Sequence, residues 1–278
     1  MRPTIAVLDT GIAQVPGLKS NLVATADFVN KKAHFYDDNA HGTHVAGVCV
    51  SVNPGVGLIA VKVLDGEGRG NSADSLAGVQ WVIDNCVKYN IRVANLSIGA
   101  MDSGSRDPLV RAVEAAWDAG VVMIIAAGNG GPHASSVTSP GTSRKVITVG
   151  AYDDANCTDA FGTSLINFSG RGPTSECIVK PDILASGCGI VSLLSNSPEM
   201  SPTRLARLDK AGDGYVRMSG TSMAAPFVSG AISLLLTKNP QLTPDEVKLA
   251  LKLSAKDLGL APNRQGWGML DTDRLLRG

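Results

Sequence analysis

At 278 residues, with 44% hydrophobic but only 4% aromatic side chains, the chain is long enough for one α/β domain whose core must be built from Val, Ile, Leu and Ala. Lys plus Arg equals Asp plus Glu at 25 each, so there is no basic excess to neutralise phosphates or settle on anionic lipid, and nucleic-acid and membrane partners are not expected. No apolar run reaches the length of a membrane span and MRPTIAVLDTG lacks a signal-peptide pattern, so the chain is expected to be cytoplasmic or secreted after removal of leader segments. A monomer is expected.

Along the chain, short β-rich runs alternate with amphipathic helical patterns. Residues 5–8, 58–64, 93–98, 121–127 and 146–149 read as buried strands. Leu76, Val79, Ile83, Cys86 and Val87 recur at helical spacing behind a Ser72 cap. A second helix starts with Asp107 as N-cap and Pro108 at its first position, runs through Leu109, Val113 and Trp117, and stops at Gly120. The βαβ repetition and right-handed crossovers predict an α/β fold: a mostly parallel central sheet in a single domain over residues 1–278, helices on both faces, ligands at the carboxyl ends of the strands. Two helices follow at residues 222–238 and 244–256, the latter started by a capping box of Thr243 and Glu246 with Pro244 at the first position. Residues 195–215, polar and rich in Ser, Pro, Asp and Gly, read as a mobile surface loop.

The five cysteines cannot all pair within one chain and none stands in a CxxC, which disfavours a disulfide framework or a zinc ribbon. Cys49 and Cys86 read as buried thiols. Cys157, Cys177 and Cys188 lie in loop-like sequence, where one bridge among them stays open.

Four polar residues fall at element ends. Asp9 closes the run IAVL, where an open α/β sheet keeps its active site, although a turn aspartate fits the local sequence as well. His41 opens HGTHVAGVCV near a helix start and suits a general base; His44 lies three residues on, with Asp37 and Asp38 nearby, but without HExxH a metal is the weaker reading and His44 reads as packed and hydrogen-bonded. Ser222 in MSGTSMAAP begins an apolar helix, whose free N–H groups and positive dipole end suit a nucleophile, against the plain reading of an N-cap. Asn129 ends VVMIIAAGN, placed to donate to an oxyanion or simply to make a turn.

The order Asp, His, Ser and the motifs DTG, HGTHVAG, AAGN and GTSMAAP resemble the subtilases over residues 5–270, with a look closest to bacterial AprX-like or intracellular members. The resemblance implies the three-layer subtilisin-like fold and a serine endopeptidase acting on protein or peptide substrates. Asp9 would orient His41, His41 would take the proton of Ser222, and the Asn129 amide with the Ser222 N–H would hold the oxyanion. It implies main-chain pairing of substrate with Ser97, Ile98 and Gly99 on one side and Gly68, Arg69 and Gly70 on the other. A pocket of Ser97, Ile98, Gly99, Ala126, Ala127, Gly128 and Thr138, small and uncharged, should take apolar P1 side chains. No cofactor is implied. The tight calcium site of many secreted members is not expected, because residues 52–55 pass too briefly from helix to strand to hold its loop; a weaker calcium site around residues 141–146 stays open. With Asp9 so near the start, an inhibitory prosegment is expected to be missing. A catalytically silent binding homologue and an acyl transferase are the rival readings.

Overall fold

The computed structural model describes residues 2–99, 107–155, 157–158 and 163–277. Strands and helices follow the chain as β1 (Thr4–Asp9), β2 (Leu22–Asp27), α1 (His41–Val52), β3 (Gly57–Lys62), α2 (Ser72–Asn85), β4 (Ile91–Leu96), α3 (Pro108–Asp118), β5 (Val122–Ala126) and β6 (Ile147–Ala151). Then come β7 (Cys157–Thr158), β8 (Ser164–Leu165), β9 (Ile183–Ala185), β10 (Ile190–Leu193), α4 (Pro202–Ala206), β11 (Asp209–Lys210) and β12 (Tyr215–Met218). The chain closes with α5 (Thr221–Lys238), α6 (Pro244–Ser254), α7 (Pro262–Gln265) and α8 (Thr272–Arg277).

Seven strands form one sheet in the order β2-β3-β1-β4-β5-β6-β9, every pairing parallel. Parallel strands buried on both faces need continuous apolar sequence, and Ile5, Val7 and Leu8 of β1 are wholly buried, worth roughly 1.5–3 kcal/mol each against exposure. Successive side chains point to opposite faces. Leu8 lies against Gly78 of α2, while Asp9 faces His41 and Gly42 of α1, so α1 and α2 cover opposite faces. α5 packs with α1, and its Ser229 hydroxyl donates to Asn95 of β4 on the Asp9 side. The steps β2-α1-β3 and β3-α2-β4 run the same way across the sheet. Two right-handed crossovers would put both helices on one face, so one of the pair runs against the usual hand.

Helix starts follow their chemistry. Asp107 accepts from Leu109 N ahead of Pro108, and Thr243 with Glu246 closes both bonds of the capping box. The cap of α2 is Asn71 instead of Ser72: its side chain accepts from Asp74 N. Residues 195–215 differ from the expected mobile loop, carrying α4, β11 and the start of β12, which joins β10 and β11 in a small antiparallel sheet. One disulfide, Cys157–Cys188, closes the question left by the loop cysteines; Cys49 is buried, Cys86 half-buried and Cys177 exposed.

Candidate active site

β1 is flanked on both sides by strands, and Asp9 is its last residue, fully buried. Its Oδ1 accepts from Thr10 N and from His41 Nδ1, both at 2.7 Å. A carboxylate on Nδ1 fixes the ring tautomer and leaves Nε2 as the basic nitrogen. His41 keeps 17% of its side chain exposed. Burial works to lower its pKa, but the charge and hydrogen bond of Asp9, helped by Asp37, outweigh that and the opposing Arg204, so the net direction is upward. Gly42 is needed for the close approach: a Cβ there would collide with Gly11 O and crowd the Asp9 side chain.

The turn into His41 is built on Asp37. Its Oδ1 accepts from Thr10 Oγ1, Asn39 N and Ala40 N, and its Oδ2 from Thr43 N and Oγ1. Asp38 accepts from the buried ammonium of Lys62. These bonds engage both oxygens of Asp37 and the Oδ1 of Asp38 in holding the turn. His44 is fully buried, its Nε2 donating to Ile190 O, and burial pushes its pKa down to about 4, which keeps the ring neutral. That is the packed, hydrogen-bonded role expected of it.

Ser222 is the second residue of α5, where free N–H groups cluster. Gly220 makes the entry at φ 145°, a conformation that side chains rarely adopt. Asn129 lies three residues past β5. Its Oδ1 accepts from Thr221 N at 3.0 Å and Thr221 Oγ1 at 3.1 Å, and that hydroxyl in turn accepts from Gly128 N. With the oxygen so occupied, the Asn129 Nδ2 is left as a donor. Thr221 was not singled out by sequence reasoning; its position directly before Ser222 was the available signal.

Ser97, Ile98, Gly99, Ala126, Gly128, Asn129, Thr138, Thr221 and Ser222 line one cavity of about 230 Å3. The carboxyl ends of β4 and β5 and the start of α5 therefore converge there. Thr138 fills the space that side chains at Gly99 and Gly128 would need. Ala127, expected in the pocket wall, does not line the cavity: it is fully buried, and its carbonyl accepts from Thr138 N. Gly68, Arg69 and Gly70 do not line it. They are exposed on a turn organised by Asp65, whose Oδ1 accepts from Glu67 N and Arg69 N, beside Asn39.

The sequence profile of the family described as "Subtilase family" matches residues 2–268. Serine protease AprX of Bacillus subtilis (strain 168) is 43% identical, over 99% of this chain and 66% of its own length. Subtilisin BL of Lederbergia lenta is 33% identical, over 98% of this chain and 90% of its own. Among solved structures, a cold-adapted subtilisin-like serine proteinase superposes with a TM-score of 0.74 at 30% identity, covering 97% of this chain and 86% of that one. Sphericase superposes at 0.76 with 27% identity, covering 96% and 90%.

Proposed function

From the premise that this chain belongs to the subtilase family, we propose that it is a serine endopeptidase working through Asp9, His41 and Ser222, with Asn129 as oxyanion donor. The observation that carries this reading is the 2.7 Å bond from His41 Nδ1 to buried Asp9, in a chain whose Ser222 and Asn129 share one cavity. His41 takes the Ser222 proton as Oγ attacks the peptide carbonyl, and Asp9 stabilises the imidazolium that results. The Oγ–C bond forms, the carbonyl electrons move onto oxygen, and Asn129 Nδ2 with the Ser222 N–H receives that charge. On collapse His41 returns the proton to the leaving amine; water then repeats the sequence and releases the acid. Protein or peptide chains are the substrates, paired along Ser97, Ile98 and Gly99 on one side and along Gly68, Arg69 and Gly70 on the other.

The cavity walls are small and uncharged, so a desolvated ion would find no partner there. Medium and large apolar P1 residues should be cleaved preferentially. A P1 peptide library with sites read by mass spectrometry tests this; a dominant Arg or Lys preference would refute the pocket assignment, and no cleavage of any peptide would refute the reaction.

On this reading no bound metal is required. Asn53, the one side-chain oxygen in the short link after α1, already accepts from Gly55 N, and its amide donates to Ser233 Oγ. Near residues 141–146, the carbonyls of Arg144, Lys145 and Val146 accept from the Lys248 ammonium, which stands where a cation would. The same Val146 oxygen also accepts from Lys180. These contacts support a fold that does not draw stability from calcium. The melting temperature of the Ser222→Ala protein, in which autolysis cannot intrude, should change little with EDTA or added calcium. A large calcium-dependent rise would overturn the reading.

A further inference from the structure

His41 is reached through a residue in an unfavourable conformation. Ala40, the N-cap of α1, sits at φ 87° and ψ −13°, the left-handed region that a side chain resists and that persists only where neighbours over-determine it. Asp37 fixes the N–H groups of Asn39 and Ala40. The orientation of the peptide between Asn39 and Ala40 also depends on the Asn39 carbonyl, and that oxygen is held from a distant part of the chain. Arg204 of α4, only 4% exposed, donates Nε to Asn39 O and Nη2 to Asn39 Oδ1, both at 3.0 Å. Asn39 Oδ1 also accepts from His41 N at 3.3 Å, while its amide donates to Gly66 O. One guanidinium thus grips both oxygens of the residue on which the His41 backbone rests.

We propose that Arg204 is a positioning residue for His41, clamping Asn39 so that the left-handed turn at Ala40 delivers the imidazole to Asp9. The proposal rests on the serine-protease reading above. A fork of parallel donors matches two oxygens on one residue in a way a lysine cannot. Other residues of the segment bond the same loop elsewhere: Ser195 Oγ donates to Asp37 O, and Glu199 pairs with His34 and Lys32. That separates a clamp on the catalytic turn from general anchoring of the segment. Arg204 is also a cation acting on His41, alongside Asp9 from β1, Asp37 from the preceding loop and neutral His44 from α1. It opposes the carboxylates that hold the His41 pKa up.

The test compares Arg204→Met, Arg204→Lys and Glu199→Gln by kcat, KM and the rate of fluorophosphonate labelling across the histidine pH range. Wild type should show its acid limb above the ordinary histidine value, since activity is lost as His41 protonates. Arg204→Met should lose about ten- to a hundredfold in kcat, as expected for a displaced catalytic group, with KM changed by under about twofold. Its acid limb should move to higher pH, because removing a cation favours the imidazolium. Arg204→Lys, which keeps the charge but not the fork, should hold the limb in place at intermediate kcat, and Glu199→Gln should leave both unchanged. Wild-type kcat and pH profile in folded Arg204→Met would overturn the proposal, as would an equal effect from Glu199→Gln. If Arg204→Met does not fold, the lysine variant decides: full kcat there is contrary to a two-oxygen clamp. Absence of labelling in wild type would instead bring down the protease reading, and this one with it.

Discussion

Ser222→Ala should fold as the wild type does and lose about 10⁶ in kcat, a magnitude carried over from subtilisin, a member of the same family. The substitution removes one oxygen from a half-buried position at the start of α5, where alanine is an acceptable helix residue. The helix, the Gly220 entry and the Thr221 bonds to Asn129 all remain. What disappears is the atom proposed to form the acyl bond, and the adjacent Thr221 hydroxyl does not replace it, because it is engaged with Asn129 and Gly128. Residual turnover should be that of a cavity that binds and polarises the peptide without attacking it. Near-wild-type hydrolysis by the purified variant would remove Ser222 from the mechanism.

Asn129→Ala should cost about 10² to 10³ in kcat, the range for loss of an oxyanion-hole asparagine in subtilisin, with little change in KM. Thr221 takes the amide oxygen, so Nδ2 is preorganised as a donor before substrate arrives, and a donor fixed in advance helps most where charge develops. In the ground state the carbonyl is only weakly polar, which is why KM should hardly move. A pure KM effect would mean that Asn129 binds substrate instead of stabilising an oxyanion. Thermal melts of the same variant guard against a trivial explanation, since its loss also frees Thr221 N.

Much of this candidate site was legible because each residue proposed for it lies at or near one end of a strongly patterned element. The buried runs of β1 and β5 and the apolar face of α5 are long enough to mark where Asp9, Asn129 and Ser222 must fall. Asp107 with Pro108, and Thr243 with Glu246, announce their helices because cap chemistry is local. In the central sheet, strands β2 and β9 escaped, β2 because it is an edge strand only half buried, and β9 because three residues carry no period. Arg204 escaped for a different reason. A charged residue in polar sequence reads as solvated, and only the fold brings it to Asn39, 165 positions away in sequence. The Cys157–Cys188 bridge was equally undecidable, since spacing does not choose between three loop cysteines. The proposed substrate edge at Gly68, Arg69 and Gly70 came from resemblance alone; the turn lies beside the His41 loop, outside the cavity wall.

The central claim is that Ser222 is a nucleophile activated by the His41–Asp9 pair. Its most direct test is to expose the native protein to a fluorophosphonate and locate the adduct by peptide mass spectrometry. A single modification on Ser222, absent after His41→Ala and after heat unfolding, is the predicted result. No adduct on native protein, or one on a different serine, would contradict it.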